Sequence, residues 1–182
     1  MKSGDLSFCP RCGAGDCRFR DGAFWHCSSC GFTLYHNVAA SASVILEIDG
    51  RALMLVRGKE PRKGLLSLPG GFVNPDERAE DAAVRECLEE TGLRVEELSF
   101  VGSWPNDYEY CGILYKTCDL YFGARLAGCV AGDPVSDPLA RLALDSGEAS
   151  AFRLVSPADF EFAPIAFESA REALLVWRGK RA

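Results

Sequence analysis

The chain has 182 residues, 48% of them hydrophobic and 25% charged, and its formal net charge is -6 at pH 7. These values are those of a globular protein with one full-sized domain and room for a small appended unit. The acidic balance and the dispersed basic residues argue against broad binding to nucleic acid. No apolar run has the length of a membrane span, and no apolar stretch typical of a signal peptide follows Met1. We therefore expect a cytoplasmic protein that has no contact with a membrane.

The amino-terminal segment carries two CxxCG motifs. Each motif offers two thiolates at a spacing that suits one metal ion, and four thiolates close a tetrahedral shell around Zn2+. The four predicted zinc ligands are Cys9, Cys12, Cys27 and Cys30. Because a closed shell leaves no position for water, we predict a structural zinc ribbon over residues 1–36, which folds only with the metal.

Other residues of this segment leave two alternatives open. Cys17 and His26 lie between the motifs and could replace one ligand, although the paired spacing favours the four cysteines. Zinc ribbons also bind nucleic acid or protein, and aromatic side chains can stack on bases. We predict instead that the aromatic residues form the small core of the ribbon: Phe8, Phe19, Phe24, Trp25 and Phe32.

A β-hairpin is predicted after the ribbon. Residues 42–48 and 51–57 are rich in strand-forming residues and flank Asp49-Gly50, a dipeptide typical of a tight hairpin turn. Arg57, at the end of the second strand, is a predicted substrate contact. The basic loop that follows, residues 58–64, either attracts phosphate or is simply solvated.

The segment from Gly71 to Leu93, which we call the acidic box, has the pattern G-x5-E-x7-R-E-U-x-E-E-x-G-U, where U is apolar. Glu86, Glu89 and Glu90 are spaced i, i+3 and i+4, so their carboxylates converge on one face of a helix. The opposite face is small or apolar and suits packing on a sheet. Mg2+ and Mn2+ prefer such carboxylate oxygens, and phosphate oxygens of a substrate usually complete their shell. The box therefore predicts a Mg2+ or Mn2+ site for phosphate chemistry.

The bounds of this helix are predicted from its flanking residues. Residues 74–77 are predicted to be either a turn or the start of the helix, in the second case with Asn74 as N-cap and Pro75 at the first helical position. Gly92 is the predicted C-terminal cap in the left-handed conformation. The Leu-Pro-Gly-Gly sequence at the start of the box allows close approach of the backbone, so the carbonyl of Gly71 is a predicted further metal ligand.

The box and its leading Leu-Pro-Gly-Gly resemble the signature of the Nudix hydrolases. The resemblance implies an α/β fold over residues 37–182, an α/β/α sandwich around a mixed sheet. It also implies that Arg85 pairs with Glu77 and orients the acidic cluster, while the three glutamates serve as metal ligands or base.

The resemblance further implies a reaction. Water attacks one phosphorus of a pyrophosphate, the metal neutralises phosphate charge, and a glutamate accepts the proton, which yields two monophosphates. Glu90 or Glu86 is the first choice for the base. Glu109 and Glu148, from later in the chain, are the alternatives.

Beyond the box, strands are predicted over residues 97–104, 115–125 and 151–155, and an amphipathic helix over residues 165–177. Gly, Pro, Asp and Ser make residues 128–147 the most loop-like stretch. The order of elements is mixed α and β.

A zinc ribbon directly before the box resembles the NADH pyrophosphatase group of this family, as does the passage CGFTLYHN. That group carries SQPWPFPxS after its box, where this chain has SWPNDYEY. Trp104, Asn106 and Tyr108 of this segment offer stacking faces and hydrogen bonds, so we predict that they contribute to a base- or sugar-binding pocket. The alternative is that they are core and turn residues. The substrate is open among NADH, ADP-ribose and other nucleoside diphosphate derivatives.

Two other functions are alternatives to the pyrophosphohydrolase. One is a non-catalytic module that senses a nucleotide while its ribbon binds nucleic acid or protein; such modules commonly lose box acids, and all are present here. The other is hydrolysis of NAD-capped RNA, which contains the same pyrophosphate but which the acidic balance disfavours. The expected partner is a small-molecule nucleotide, and the resemblance leaves a homodimer open because dimers are common in the family.

Overall fold

The structure is a computed structural model that describes residues 6–128, 137 and 139–180. The chain divides into two compact units. The first consists of Met1–Ala39 and Asp107–Lys116, and the second of Ala40–Asn106 and Thr117–Ala182. The predicted division into domains 1–36 and 37–182 stays a prediction.

The first unit contains a three-stranded antiparallel sheet. Its strands, in the order β1-β2-β3, are β1 (Cys17–Arg20), β2 (Phe24–Cys27) and β3 (Thr33–Tyr35). Trp25 is 2% exposed and its ring centre lies 4.8 Å from that of Phe19, so aromatic packing does supply the small core. The prediction is wrong for Phe8, which is 68% exposed because its segment precedes β1 and belongs to no strand.

The second unit is built on a seven-stranded mixed sheet with the order β10-β5-β4-β9-β8, where β6 pairs with β5 and β7 with β4. The end of the β8–β9 hairpin belongs to the first unit. The strands are β4 (Ala39–Ile48), β5 (Arg51–Arg57), β6 (Leu66–Ser67), β7 (Gly70–Phe72), β8 (Val95–Tyr110), β9 (Ile113–Leu126) and β10 (Ala149–Val155).

Two helices cover the two faces of this sheet. The first, α1 (Ala79–Thr91), packs its small and apolar face into a core that contains Val44 and Leu46 of β4. The second, α2 (Glu168–Gly179), packs into another core that contains Ile45. Because successive strand residues point to opposite faces, this alternation places the two helices on opposite sides of the sheet. The predicted α/β/α sandwich is confirmed.

The predicted hairpin is confirmed as well. β4 and β5 pair on either side of Asp49 and Gly50, whose φ angles are 50° and 73°. Two positive φ values give a tight turn whose twist matches that of the flanking strands. The three downstream strands are present, each longer than predicted. Of the predicted loop 128–147, residues 129–136 and 138 lie outside the described residues, and the described remainder contains no helix or strand.

The carboxy-terminal helix begins at Glu168 rather than at the predicted residue 165. The Leu66 N–H donates to the Pro164 carbonyl at 2.9 Å, and the Leu66 carbonyl accepts from the Ala166 N–H at 2.7 Å. These bonds hold residues 164–166 against β6 in an extended conformation, so the helix starts after them.

Among the described residues, no helix combines the length and the hydropathy needed to cross a membrane.

Candidate active site and metal centres

The helix of the acidic box begins at Ala79, so of the two alternatives for residues 74–77 the turn is present, and the helix start at Pro75 with Asn74 as N-cap is wrong. Asp76 has a φ of 65°, which is outside the right-handed helical region. Asn74 and Glu77 instead close a turn: the Glu77 N–H donates to the Asn74 carbonyl at 3.2 Å, and the Asn74 N–H donates to Glu77 Oε2 at 2.9 Å. The turn leaves Glu77 in the loop before the helix, where its carboxylate can reach back to α1.

The other end of α1 is as predicted. Gly92 has a φ of 71°, and its N–H donates to the Leu88 carbonyl at 2.8 Å. This left-handed cap satisfies a carbonyl that the last helical turn would otherwise leave without a partner.

Arg85 and Glu77 form a bidentate pair. Arg85 Nε donates to Glu77 Oε1 at 2.8 Å, and Arg85 Nη2 donates to Glu77 Oε2 at 2.9 Å. These bonds, followed by the one from the Asn74 N–H, lower the pKa of Glu77 to about 2. Because the guanidinium is planar and makes two parallel hydrogen bonds to one carboxylate, its orientation relative to α1 is fixed.

The same guanidinium also holds two glutamates of the box and the glycine strand. Arg85 Nη1 donates to Glu86 Oε1 at 2.6 Å and to Glu89 Oε2 at 3.1 Å. Arg85 Nη2 donates to the Phe72 carbonyl at 3.2 Å. One cation therefore sets the positions of three carboxylates relative to β7.

Glu90 occupies a different, more buried position on the same helix. Its Oε2 accepts a hydrogen bond from the Gly70 N–H at 2.9 Å. Burial raises the pKa of Glu90 to about 8. The hydrogen bond from the Gly70 N–H opposes this increase, and the negative charges of Glu86 and Glu148 add to it. Such a carboxyl group exchanges its proton near neutral pH.

The glycines of β7 permit this close approach. A Cβ atom at Gly71 would lie 2.6 Å from the Glu86 carboxylate, and one at Gly70 would lie 2.5 Å from the Ala42 carbonyl oxygen. The space beside Gly71 is thus occupied by a carboxylate, next to the backbone carbonyl predicted as a ligand. Carboxylate and carbonyl oxygens are the donors that Mg2+ and Mn2+ prefer. The carboxylate oxygens of Glu86, Glu89 and Glu90 do not all lie within 4.8 Å of one another, so the metal site stays a prediction.

The four predicted zinc ligands come together in the first unit. All four sulfur atoms lie within 4.8 Å of one another, and in the described part of the chain they are the one set of three or more metal-binding side chains that meets this distance. Two of the separations are 3.7 Å, Cys9 to Cys30, and 3.8 Å, Cys12 to Cys27. A tetrahedral shell with Zn–S bonds of about 2.3 Å has edges of about 3.8 Å, so the set fits Zn2+.

Both motifs turn in the same way. The Gly13 N–H donates to the Cys9 carbonyl at 2.8 Å, and the Gly31 N–H donates to the Cys27 carbonyl at 2.9 Å. The two alternative ligands lie outside the sulfur cluster: Cys17 is buried in β1, and His26 Nδ1 lies 3.2 Å from Thr33 Oγ1.

Arg57, the predicted substrate contact, lies where β5 meets the basic loop. Its Nε donates to the Pro61 carbonyl at 2.8 Å, and its guanidinium carbon lies 5.1 Å from the ring centre of Phe167. Arg62 lies over the same ring at 5.5 Å. Arg57 Nη2 is buried and has no hydrogen-bond partner among the described residues. A buried donor of this kind suits an anionic ligand, because leaving it unpaired is costly.

The two alternative bases lie in different units. Glu148 precedes β10, forms an ion pair with Lys59 of the basic loop, and adds its charge to the environment of Glu90. Its carbonyl accepts from the Gly58 N–H at 2.8 Å. Glu109 is an exposed residue of the first unit.

The predicted pocket residues lie along β8. The rings of Trp104 and Tyr121 meet edge to face, with centres 5.7 Å apart. The Asn106 carbonyl accepts a hydrogen bond from Thr117 Oγ1 at 3.3 Å. Tyr108 belongs to the first unit, where it stacks on Tyr110 at 6.4 Å.

Two residues of the second unit were not singled out from the sequence. Phe167 contacts Arg57 of β5 and Arg62 of the basic loop through its ring, although its sequence position suggested an ordinary apolar residue of the last helix. Asp119 is a buried carboxylate in the middle of β9, and the available signal was a single acid within an apolar strand.

The family assignment follows from comparison with known proteins. The model of the NUDIX domain matches residues 36–177 of this chain. The chain belongs to the Nudix family. Its acidic box is the Nudix box, and α1 is the helix that carries the Nudix glutamates.

Two curated relatives are similar in sequence to part of the chain. An ADP-ribose pyrophosphatase of Methanocaldococcus jannaschii is 42% identical over 75 residues, which are 41% of this chain and 44% of that protein. An NAD-capped RNA hydrolase NudC of Pseudomonas putida is 33% identical over 133 residues, which are 72% of this chain and 44% of that protein. The chain thus spans less than half of the length of either relative.

A solved structure supports the fold. The crystal structure of a Nudix hydrolase from Nitrosomonas europaea superposes with a TM-score of 0.68, at 23% identity, over 93% of this chain and 88% of that one.

Proposed function

We propose that this Nudix protein is a metal-dependent pyrophosphohydrolase that cleaves a nucleoside diphosphate linked to a second group into two monophosphates. The observation that carries the proposal is the Arg85 guanidinium, which binds Glu77, Glu86 and Glu89 while Glu90 accepts from the glycine strand. The names of the two relatives, one an ADP-ribose pyrophosphatase and one an NAD-capped RNA hydrolase, support the same class of bond.

Glu86, Glu89, Glu90 and the Gly71 carbonyl would hold Mg2+ or Mn2+. The ion, when bound, supplies positive charge for the phosphate oxygens and lowers the pKa of bound water. Arg85 and Glu77 keep the glutamates in place. Zn2+ in the cysteine cluster would be structural, since four thiolates leave no position for a substrate.

The general base is proposed from proton affinity and position. Glu90 would serve either as a metal ligand or as the base, and in the second role its buried carboxyl, whose pKa burial raises in the metal-free protein, would accept the proton of the attacking water. Glu86 is the second choice in the box, and Glu148 is the alternative whose charge acts on Glu90. The pH dependence of turnover in Glu90→Gln and Glu148→Gln variants separates these roles, because the base variant loses the acidic limb of the profile.

Substrate recognition is proposed for two regions. Arg57 Nη2, a buried donor, would bind a phosphate oxygen while Phe167 keeps the guanidinium in place. Trp104 and Asn106 of the second unit would contribute to recognition of a base or sugar, and the role predicted for Tyr108 stays a prediction. The partner is then a small nucleotide, with NAD-capped RNA and a second copy of the chain as further partners to be tested.

The proposal is tested by incubation with Mg2+ or Mn2+ and each of NADH, ADP-ribose, FAD and dinucleoside polyphosphates. We expect two monophosphate products from at least one substrate and none after chelation. Tight nucleotide binding without any turnover would contradict the enzyme and favour a sensing module. Binding of capped RNA that weakens steeply with salt would favour an RNA substrate, since phosphate-backbone contacts respond in this way.

A further inference from the structure

Two arginines, Arg57 and Arg62, lie over the ring of one phenylalanine just beyond the end of β5. The guanidinium carbon of Arg57 is 5.1 Å from the ring centre of Phe167, and that of Arg62 is 5.5 Å from the same centre. A guanidinium over an aromatic ring is attracted by the negative face of the ring. Phe167 therefore holds two like charges close together although they repel one another. We call Arg57 and Arg62 the arginine pair.

The backbone fixes both the arginines and the ring. The Arg57 N–H donates to the Leu65 carbonyl at 2.9 Å, and the Leu65 N–H donates to the Arg62 carbonyl at 3.2 Å. On the other side of the contact, the first residue of β6 is hydrogen-bonded to residues 164–166, which directly precede Phe167. The arginine pair and the ring are thus anchored to the same short stretch of chain.

Neither arginine is bonded to an acidic side chain of the described residues. Arg57 Nε donates to the Pro61 carbonyl, and Arg57 Nη2 is buried without a hydrogen-bond partner in the described part of the chain. Arg62 is exposed, and its guanidinium forms no hydrogen bond or ion pair with a described residue. The acid of the same loop, Glu60, accepts instead from the Lys63 N–H at 3.5 Å. The arginine pair therefore offers two positive charges to an anion, one of them at the surface.

The arginine pair borders the Nudix glutamates. Burial raises the pKa of Glu90, and the positive charge of Arg57 opposes that increase. Arg57 also leaves β5 on the side that faces α1, the side of Leu53, because alternate residues of a strand point the same way. Arg62 belongs to the loop beyond the strand and is the exposed member. The pair thus leads from the side of the glutamates to the protein surface.

We propose that Arg62, held by Phe167, is a specificity-determining residue that acts with Arg57 to bind a diphosphate in preference to a single phosphate. Each guanidinium can donate two parallel N–H groups to the oxygens of one phosphate, so two guanidinium groups match two linked phosphates. Phe167 is a positioning residue. The inference rests on the proposed pyrophosphohydrolase in taking this diphosphate to be that of its substrate, whichever nucleoside the substrate carries.

The test measures the binding of inorganic pyrophosphate and of orthophosphate by calorimetry, with zinc-loaded protein and no added Mg2+ or Mn2+. Pyrophosphate is the probe because it represents the linked phosphates of every candidate substrate, so the result does not depend on the nucleoside. The variant is Arg62→Gln. The matched control is Lys63→Gln, which removes the same charge from the next exposed residue of the loop, a cation that does not lie over Phe167.

We expect the wild-type protein to bind pyrophosphate more tightly than orthophosphate. Arg62→Gln should lose about threefold to tenfold in affinity for pyrophosphate, the effect of a charge-assisted hydrogen bond at an exposed site, and less with orthophosphate. Lys63→Gln should lose less than about twofold with either ion, because salt screens a solvated charge. Equal losses of pyrophosphate affinity in the two variants would overturn the inference, as would a wild-type protein without a preference for pyrophosphate.

The role of Phe167 is tested by Phe167→Leu and Phe167→Tyr. Leucine keeps an apolar side chain but removes the ring, so affinity for pyrophosphate should fall by about threefold to tenfold, whereas tyrosine keeps the ring and the affinity. In the double variant with Arg62→Gln the two losses should be less than additive, because the ring acts through the arginine. Additive losses, or an equal loss in Phe167→Tyr, would contradict the role of Phe167.

The two proposals fail in different ways. Turnover of a nucleotide by the wild-type protein, together with equal losses of pyrophosphate affinity in Arg62→Gln and Lys63→Gln, removes the role of Arg62 alone. A selective loss in Arg62→Gln without turnover of any nucleotide removes the hydrolase and leaves a diphosphate-binding site. A wild-type protein with neither turnover nor a preference for pyrophosphate overturns both.

Discussion

Arg85 donates two parallel hydrogen bonds to Glu77, at 2.8 and 2.9 Å, and uses its remaining N–H groups for Glu86, Glu89 and the Phe72 carbonyl. A single planar cation thus joins the loop before α1, the metal-binding face of α1 and the glycine strand. A substitution that keeps the positive charge at residue 85 but loses the planar guanidinium should therefore disturb the whole acidic site.

Arg85→Lys tests this relationship. Lysine keeps the charge but offers a single point of attachment instead of a planar fork, so it cannot hold Glu77 and Glu86 together. We expect kcat to fall by about 10- to 100-fold, the range seen when a group that orients metal ligands is lost. The control is Arg78→Lys at the N-cap of the same helix, where the side chain is 74% exposed and pairs only weakly with Glu80. An equal loss of kcat in both variants would contradict the role of Arg85.

Glu77 gives a prediction for acid stability. Its pKa is lowered to about 2 by Arg85 and the Asn74 N–H, whereas a carboxyl of the unfolded chain titrates near about 4.3. The ionised form therefore stabilises the fold above that value, and the contribution is lost as the pH falls from there toward 2. Urea unfolding of the wild-type protein and of Glu77→Gln should show a difference in stability at pH 6 that shrinks by about pH 3. A difference that stays constant over this range would contradict the shift.

Glu90→Gln should separate chemistry from folding. Glutamine keeps a carbonyl oxygen for the Gly70 N–H but cannot bind a proton or carry charge. Because burial already disfavours the charged form of Glu90, we expect the melting temperature of the metal-free protein to be unchanged or higher. Turnover should fall by about 100-fold or more. Glu80→Gln, on the first turn of α1, is the control and should keep full activity; unfolding of Glu90→Gln would contradict the prediction.

Cys12→Ser should affect the first unit. Loss of one of four thiolates opens the zinc shell, and because a small ribbon depends on its metal for folding, bound zinc and the structure of residues 6–39 should be lost together. We expect turnover at the Nudix site to change little. Zinc content by atomic absorption and circular dichroism check this, with the exposed Cys111, outside the sulfur cluster, changed to serine as the control. Retention of one zinc per chain by Cys12→Ser would show that another residue, Cys17 or His26, completes the shell.

Local sequence patterns were sufficient to predict the structure where the interacting groups are close in sequence. The spacing of Glu86, Glu89 and Glu90 follows from the period of a helix, and the Asp49-Gly50 turn follows from the φ values that those residues adopt. The two CxxC motifs predicted a sulfur cluster, because each pair of thiolates is already held at a fixed spacing by its own turn.

Local patterns failed where they fit two structures or where a distant contact competes with them. Asn74-Pro75 has the composition of a helix start, yet the positive φ of Asp76 and the hydrogen bonds between Asn74 and Glu77 make a separate turn. The last helix starts late because Leu66, about 100 residues earlier, binds the backbone of residues 164–166. The turn depends on groups only three residues apart, whereas the late start of the last helix has no signal near that helix.

The sequence by itself therefore determined the class of fold, the acidic helix and the four thiolates. Only the tertiary structure decided how the groups are oriented: Arg85 across the loop to Glu77, Arg57 on Phe167, and Ser41, Thr117 and Ser169 around Asp119. The physical reason is that the residues of one metal-binding motif lie only a few positions apart along the chain. Hydrogen bonds and ring contacts between elements instead depend on how the sheet and helices pack, which brings residues as far apart as Ser41 and Asp119 within 2.7 Å.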